Sequence, residues 1–343
     1  MKCLAITGGT GFIGGELIKE LIDKSERIKC LVRSTSNTDG LQKDRIEMIK
    51  GNLVERESLS RLTKGCETVF HLAAFVSDWG EREDFININY KATKDLLDES
   101  LINGVKKFIY LSTSSVVWKS DFWNIHNLSE IDESYPYPDT YNDYYNESKA
   151  MAEKLVVEYN GRNEMRTLVI RPSGVWGAGD KVILPRIIRA ADKRFLIPAG
   201  DGSGMVSPCH VHNLVSSLYL AAVSENPSGK IYFINDGINI NHIQFIKKLL
   251  SAAGMEWNPR FYLPFKIAYL LAYFIEKLHR TLRLQKPPVI TRFAVSAIAG
   301  SRTYSIENAR KDLDYRPIVD IEKGMKLLHS WVNGLGGYQK LIQ

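Results

Sequence analysis

The chain has 343 residues, 44% of them hydrophobic and 24% charged, with a net charge of +6. Those proportions belong to a globular protein and exclude a disordered tract. The modest positive charge does not call for nucleic acid, because polyanionic cofactors and anionic membranes favour the same sign. The chain opens on an apolar run, Cys3-Leu4-Ala5-Ile6, which reads as a buried parallel strand. A glycine-rich turn follows, Thr7-Gly8-Gly9-Thr10-Gly11-Phe12-Ile13-Gly14, and then helical apolar spacing at Leu17, Leu21 and Ile22. Strand, turn and helix in this order set a helix N-terminus against a pyrophosphate, with backbone N–H groups and the positive end of the helix dipole facing the anion. Gly8 lets the chain turn, Gly11 lets the backbone approach the phosphates, and Gly14 lets the helix pack close to the sheet.

Further strands are expected at Arg27–Arg33, Ile46–Lys50, Thr68–Leu72, Lys107–Ser112, Arg166–Arg171 and Lys230–Ile234. Helices are expected at Asn89–Asn103, Tyr145–Tyr159 and Val211–Val223. This alternation predicts an α/β fold, a doubly wound parallel Rossmann sheet with helices on both faces. After Gly177 the rhythm changes, and from Ile243 the chain is mostly helical. The expected organisation is a dinucleotide-binding domain at 1–176, rejoined by 208–236; a smaller, mostly helical substrate domain from 177–207 and 237–305; and a helical tail at 306–343.

At the end of the second strand an NAD site normally carries a carboxylate for the ribose 2′-OH. Here Arg33 stands in that place with Ser34 beside it. A guanidinium fork suits a 2′-phosphate, so NADP(H) is expected ahead of NAD(H). Tyr145 and Lys149 are four residues apart, a turn apart on one helix face. A nearby ammonium favours phenolate, so this spacing predicts a proton-transfer pair, with Lys149 also holding the nicotinamide ribose. Ser112 to Ser115 end a strand at the rim where catalytic groups belong, and one hydroxyl there can orient the reacting oxygen. The four cysteines (Cys3, Cys30, Cys66, Cys209) are scattered, without metal-ligand spacing, so no metal is expected and a reducing, cytoplasmic setting is. The strand and glycine turn start within the first ten residues, which leaves no room for a signal peptide there.

Six landmarks in order resemble the extended short-chain dehydrogenase/reductase family: Thr7–Gly14, His71-Leu72-Ala73-Ala74, Asn89-Tyr90-Lys91-Ala92-Thr93, Ser112-Thr113, Tyr145 and Lys149 with Ala152-Glu153, and Arg171-Pro172-Ser173-Gly174-Val175-Trp176-Gly177. The resemblance implies Thr113, Tyr145 and Lys149 as the catalytic set. It implies cofactor contacts at Gly8, Thr10, Gly11, Phe12, Ile13, Asn52, Leu53, Leu72, Ala73, Ala74, Pro172 and Val175, besides Arg33, Ser34, Tyr145 and Lys149. The family's dehydratases follow the threonine with an acid pair, where this chain has Ser114 and Ser115. The segments Ile231–Gly237 and Leu263-Pro264 resemble the 3β-hydroxysteroid and sterol-4-carboxylate dehydrogenase branch, from which Arg33 departs.

The expected activity is therefore NADPH-dependent reduction of a hydrophobic ketone, or the reverse, on a steroid-like or long-chain β-keto compound. A nucleotide-sugar epimerase and a non-catalytic NADP-sensing protein are the alternatives. Trp79, His210 and His212 are further cleft candidates, with packing the competing role. The apolar run Leu263–Ile275 leads into a stretch with Lys277, Arg280, Arg283, Lys286, Arg292 and Arg302 and no acid. A buried helix walling the substrate pocket is the first reading of it. Peripheral membrane contact through 261–286 is the second. The oligomeric state is left open, a homodimer included.

Overall fold

The computed structural model describes residues 1–41, 44–119, 121–284 and 286–342. Seven strands form the main sheet, in the spatial order β7-β6-β5-β4-β1-β2-β3. They are β1 (Cys3–Thr7), β2 (Arg27–Val32), β3 (Ile46–Lys50), β4 (Thr68–His71), β5 (Lys107–Leu111), β6 (Arg166–Pro172) and β7 (Lys230–Ile234). Every pairing is parallel. The helices that matter here begin with α1 (Phe12–Leu21), α2 (Arg56–Thr63), α3 (Ala92–Ile102), α4 (Tyr144–Glu158), α5 (Ile183–Asp192) and α6 (Val211–Val223). They continue with α7 (His242–Ala252), α8 (Phe265–Thr281), α9 (Arg292–Ala299), α10 (Glu307–Leu313) and α11 (Ile321–Gly334).

The central strands read as unbroken apolar runs because helices cover both faces. Successive side chains then alternate between two cores. Leu4, Ile6, Phe70, Ile109 and Ile170 meet α1 and α6 on one side. Ala5, Val69, Phe108, Tyr110 and Val169 meet α2, α3 and α4 on the other. Strand order reverses between β1 and β4. Ligands of such sheets lie beyond the carboxyl ends at that reversal.

A second unit caps this edge. Leu128–Ile131, Met205–Val206, Ile240–Asn241 and Arg302–Tyr304 make a small four-stranded sheet. Its core includes Leu184, Ile188, Phe245, Leu249 and Leu328, from α5, α7 and α11. Ala309, Leu313 and Tyr315 join the core under β7, and α11 packs in the cap. Helix α8 runs beyond the apolar stretch, from Phe265 to Thr281. It buries only one face, Phe265, Ala268, Tyr269 and Ala272, against Val295 and Ala299. The reading of a buried helix walling the pocket is corrected in one respect: α8 lines a cleft through Glu276 and Arg280 and buries the face of Phe265, Ala268, Tyr269 and Ala272, but its opposite face is exposed, so it is a two-faced surface helix.

At the carboxyl end of β4, His71 is fully enclosed and hydrogen-bonded at both ring nitrogens. Thr93 Oγ1 donates to the Asn89 carbonyl at 2.7 Å, so it accepts from His71 Nε2 at 2.8 Å. That leaves Nδ1 to accept from the Thr7 hydroxyl at 2.7 Å, while Thr7 Oγ1 accepts from the Leu72 and Ala73 N–H groups at 3.2 Å. This chain ties β1, β4 and the start of α3 together. Burial, helped by the nearby Lys149, pushes the imidazole pKa down to about 3. In the unfolded chain it titrates near 6.5. Between those values the unfolded state binds more protons, so stability rises with pH and is lost as pH falls. Wild type should therefore lose roughly 2 kcal/mol more than His71→Gln between pH 7 and pH 5. Denaturant midpoints at the two pH values check this; parallel losses would contradict it.

Candidate functional site

The glycine turn between β1 and α1 is shaped by close approach. Gly8 has φ +77°, and a Cβ there would lie 2.9 Å from the Ala73 nitrogen. A Cβ on Gly14 would lie 2.1 Å from the Gly8 oxygen, so α1 reaches this depth only without one. Gly9, not singled out in the sequence, is as constrained, with a Cβ position 2.3 Å from Cys30 Sγ. The Gly11 N–H donates to the Gly8 carbonyl at 3.0 Å. No side chain caps α1, so the N–H groups of its first turn, at Phe12 and Ile13, face outward to any anion. Thr10 is exposed on the same turn. A cradle that a single methyl would fill, beside open helix N–H groups, fits a dinucleotide.

The other expected cofactor positions gather along the same edge. Leu72, Ala73 and Ala74 follow β4, and Ala73 lies against Gly8. Arg33 and Ser34 follow β2 and are exposed. Arg33 makes no ion pair among the described residues. Asn52 and Leu53 follow β3, where Asn52 is engaged in its own turn. Its Oδ1 accepts from the Val54 N–H at 2.9 Å and its Nδ2 donates to Glu55 at 2.5 Å. Pro172 ends β6, and Val175 lies in a short strand paired with Cys209-His210.

Helix α4 carries the proposed chemistry, and buried polar groups hold it along its length. Asp143 caps it, accepting from the Asn146 N–H at 2.7 Å and from Asn146 Nδ2 at 3.0 Å. Burial raises the Asp143 carboxyl to about 6. Those bonds turn Asn146 Oδ1 toward Ser115, which donates to it at 2.5 Å. With the Ser115 proton so placed, the 2.8 Å contact between Thr113 and Ser115 is a bond that Thr113 donates. Thr113 Oγ1 also accepts from the Ser115 N–H at 3.2 Å and hydrogen-bonds the Tyr145 side chain. One turn on, Lys149 is buried; its Nζ donates to the Leu111 carbonyl at 2.6 Å and sits 4.0 Å from the Tyr110 ring centre. Asn89 Nδ2 donates to Ser148 at 3.0 Å and to the Phe75 carbonyl at 3.2 Å. Deeper still, Glu153 and Arg171 form a bidentate ion pair whose side chains are 0% and 1% exposed. Tyr137 donates to Glu153 at 2.5 Å.

Burial shifts the Tyr145 phenol and the Lys149 ammonium in opposite directions. Burial, with the Asp143 carboxylate, holds the Tyr145 phenol well above its ordinary value, against the opposing bond with Thr113. Desolvation pulls Lys149 down to about 7, with Glu153 acting the other way. The Lys149 ammonium is directed at Leu111 rather than supplied to the phenol as a lowering influence.

A narrow cleft, open to solvent, lies between the start of α4 and α8–α9; Tyr144, the residue before Tyr145, lines it, and Tyr145 does not. Trp79, Phe85, Trp118, Tyr144 and Phe293 line it, together with Asp143 and Asn146. Of the further candidates, Trp79 is in the cleft. His210 is buried edge-on to Trp176, and His212 lies 3.4 Å from Glu16. Asp143, Asn146 and Arg280 were not expected here; only the Asp143-x-x-Asn146 cap leaves a signal in sequence.

Comparison with known proteins agrees with this geometry. The model of the 3-beta hydroxysteroid dehydrogenase/isomerase family matches residues 5–265. A 4-hydroxy-2-methyl-3-oxo-4-farnesyl-3,4-dihydroquinoline-1-oxide ketoreductase of Stigmatella aurantiaca is 32% identical, over 94% of each chain. A 3 beta-hydroxysteroid dehydrogenase/Delta 5-->4-isomerase of Mycobacterium tuberculosis is 30% identical, over 93% of this chain and 87% of that one. A dTDP-glucose 4,6-dehydratase of Streptomyces venezuelae, solved with NAD, superposes with a TM-score of 0.77 at 20% identity, covering 99% of this chain and 100% of that one. That last likeness is one of fold. The chain belongs to the 3-beta hydroxysteroid dehydrogenase/isomerase family, within the extended short-chain dehydrogenase/reductases, and is an oxidoreductase acting on CH–OH and keto groups.

Proposed function

We propose that this protein is an NADPH-dependent ketone reductase for a hydrophobic substrate, steroid-like or a long-chain β-keto compound, working through Thr113, Tyr145 and Lys149. The observation that carries the reading is the half-buried Tyr145 phenol on α4 beside Thr113, one turn from the buried Lys149, with its neighbour Tyr144 lining an aromatic cleft. Its raised pKa means that it holds its proton at neutral pH. Such a phenol is a general acid, suited to protonate a carbonyl oxygen as the ketone is reduced. The glycine cradle would hold the pyrophosphate of a bound dinucleotide, whose nicotinamide would supply the hydride. A substrate carbonyl oxygen within reach of the phenol would receive the proton. Lys149 is a positioning residue: it fastens the end of β5, from which Thr113 projects. The two relatives named above act on a keto compound or a hydroxysteroid by their names, which supports an apolar skeleton. Tyr145→Phe should lower NADPH-dependent ketone reduction by about 10²–10⁴-fold with NADPH binding little changed. Full activity in that variant, or purification with stoichiometric oxidised cofactor and no net NADPH turnover, would contradict the reading.

The exposed, acid-free guanidinium of Arg33 at the end of β2 supports NADPH over NADH. In Arg33→Ala the ratio of kcat/KM for NADPH to that for NADH should fall at least about tenfold, the worth of one charge-assisted contact. An unchanged ratio would overturn the assignment.

Peripheral membrane contact is the second part of the reading. On α8, Ile267, Leu270, Leu271, Phe274 and Leu278 are each between 43% and 57% exposed. They fall on the face opposite the buried one, beside Lys266, Lys277 and Arg283. No helix among the described residues is long and apolar enough to cross a membrane. An apolar face rimmed by cations suits the headgroup layer of an anionic bilayer. Liposomes rich in phosphatidylserine should sediment the protein at low salt, and Leu271→Glu should release it. Absence of binding at low salt would retire this part.

A further inference from the structure

The four cysteines are free thiols, and two of them meet. Cys3 is the first residue of β1, and Cys66 lies in the connection between α2 and β4. Their sulfurs are 2.9 Å apart. The backbone holds this approach. The Glu67 N–H donates to the Cys3 carbonyl at 3.0 Å, and the Lys2 N–H donates to the Glu67 carboxylate at 2.7 Å. The Cys66 N–H donates to the Thr63 carbonyl at 3.0 Å, across a turn in which Gly65 takes φ +72°.

The two thiols differ in their surroundings. Cys3 is half-buried, whereas Cys66 is 3% exposed. Lys29 and Arg27 of the neighbouring β2 lie near Cys3, and Glu47 of β3 opposes them. Lys29 Nζ donates to the carbonyls of Arg61 and Lys64 at 3.2 and 2.8 Å and meets no carboxylate among the described residues. The hydrogen bond from Cys66, with these two cations, holds the Cys3 thiol down at about 7 against the upward push of burial. The Leu62 carbonyl, 3.4 Å from Cys66 Sγ, is the competing acceptor of the Cys66 proton. Cys66 is itself pushed up, by its bond to Cys3 and by burial. Cys30 and Cys209 are 0% exposed, and burial pushes the Cys30 thiol up to about 11. Of the four, Cys3 is where access and thiolate character coincide, and oxidation of a cysteine needs both.

We propose that Cys3 and Cys66 are an oxidation site that closes to a reversible disulfide when a hydroperoxide reaches Cys3. The Cys3 thiolate attacks one peroxide oxygen and the O–O bond breaks. The oxygen that departs takes a proton from solvent, and Cys3 is left as a sulfenic acid. The Cys66 sulfur then attacks the Cys3 sulfur. The S–S bond forms, the S–O bond breaks, and the hydroxide leaves as water with the Cys66 proton. The two thiols lose two electrons, and the hydroperoxide is reduced to an alcohol and water, or to water alone from hydrogen peroxide. A disulfide needs sulfurs about 2.05 Å apart, so the side chains close the gap by about 1 Å. The bond ties β1 to the start of β4 around the loop that holds β2, β3 and α2. It lies at the end of β1 opposite the glycine turn, so it stands or falls apart from the ketone reduction.

The test uses the full chain, with hydrogen peroxide as the oxidant. Two of the four thiols titrated in denaturant should be lost, and dithiothreitol should restore them. Peptide mapping by mass spectrometry should find Cys3 joined to Cys66 within one chain. The oxidised protein should unfold at a higher denaturant midpoint than the reduced one, because the cross-link restricts the unfolded chain. Cys66→Ser should form no disulfide and should stop at the sulfenic acid, read as a dimedone adduct on Cys3. Retention of all four thiols by wild type would overturn the proposal without recourse to a variant. So would a disulfide through Cys30 or Cys209, a bond between two copies of the chain, or a dimedone adduct on Cys66 instead of Cys3.

Discussion

The buried pair between Glu153 and Arg171 sets the frame on which the site depends. It joins the middle of α4 to β6 where neither charge meets water. Breaking such a pair by removing one partner typically costs about 3–5 kcal/mol, because the remaining charge is stranded. The guanidinium is further enclosed by the rings of Tyr137 and Phe233, each centred 5.2 Å away. A pair this constrained fixes the rotation of α4 about its axis as well as its distance from the sheet. Residues two turns toward the N-terminus of α4 then have no choice of face. Tyr145 is brought to Thr113, Lys149 to the Leu111 carbonyl and Ser148 to Asn89.

The same rigidity explains the protonation state of the site. Buried groups shift toward their neutral forms when burial outweighs a partner's charge. Lys149 is drawn to about 7 and the Asp143 carboxyl is lifted to about 6, each by desolvation first. Tyr145 keeps its proton for the same reason. Tyr144, adjacent in sequence, faces Arg280 and the cleft instead.

Much of the frame was legible in the residues. Parallel strands covered on both faces must be apolar throughout, so β1, β4, β5 and β6 stood out, and close helix packing left its mark at Gly14. The spacing of Tyr145 and Lys149 placed them on one face. What the spacing did not reveal was the partner each side chain meets. The pairing of Glu153 with Arg171 and the hold of Asn89 on Ser148 span many residues and follow from packing alone. The apolar run in α8 had two readings because composition does not say which face a neighbour covers; Phe265, Ala268, Tyr269 and Ala272 lie where α9 approaches, and Ile267, Leu270, Leu271 and Phe274 turn away.

The claim at the centre is that Tyr145 is a phenol, not a phenolate, at neutral pH. Tyrosine labelled with ¹³C at Cζ reports this directly by NMR, with Tyr145→Phe identifying the resonance. The account predicts a chemical shift for Tyr145 that stays at the protonated value from pH 6 to about 9, below the usual phenol value of about 10. A resonance at the phenolate position near pH 7 would contradict it.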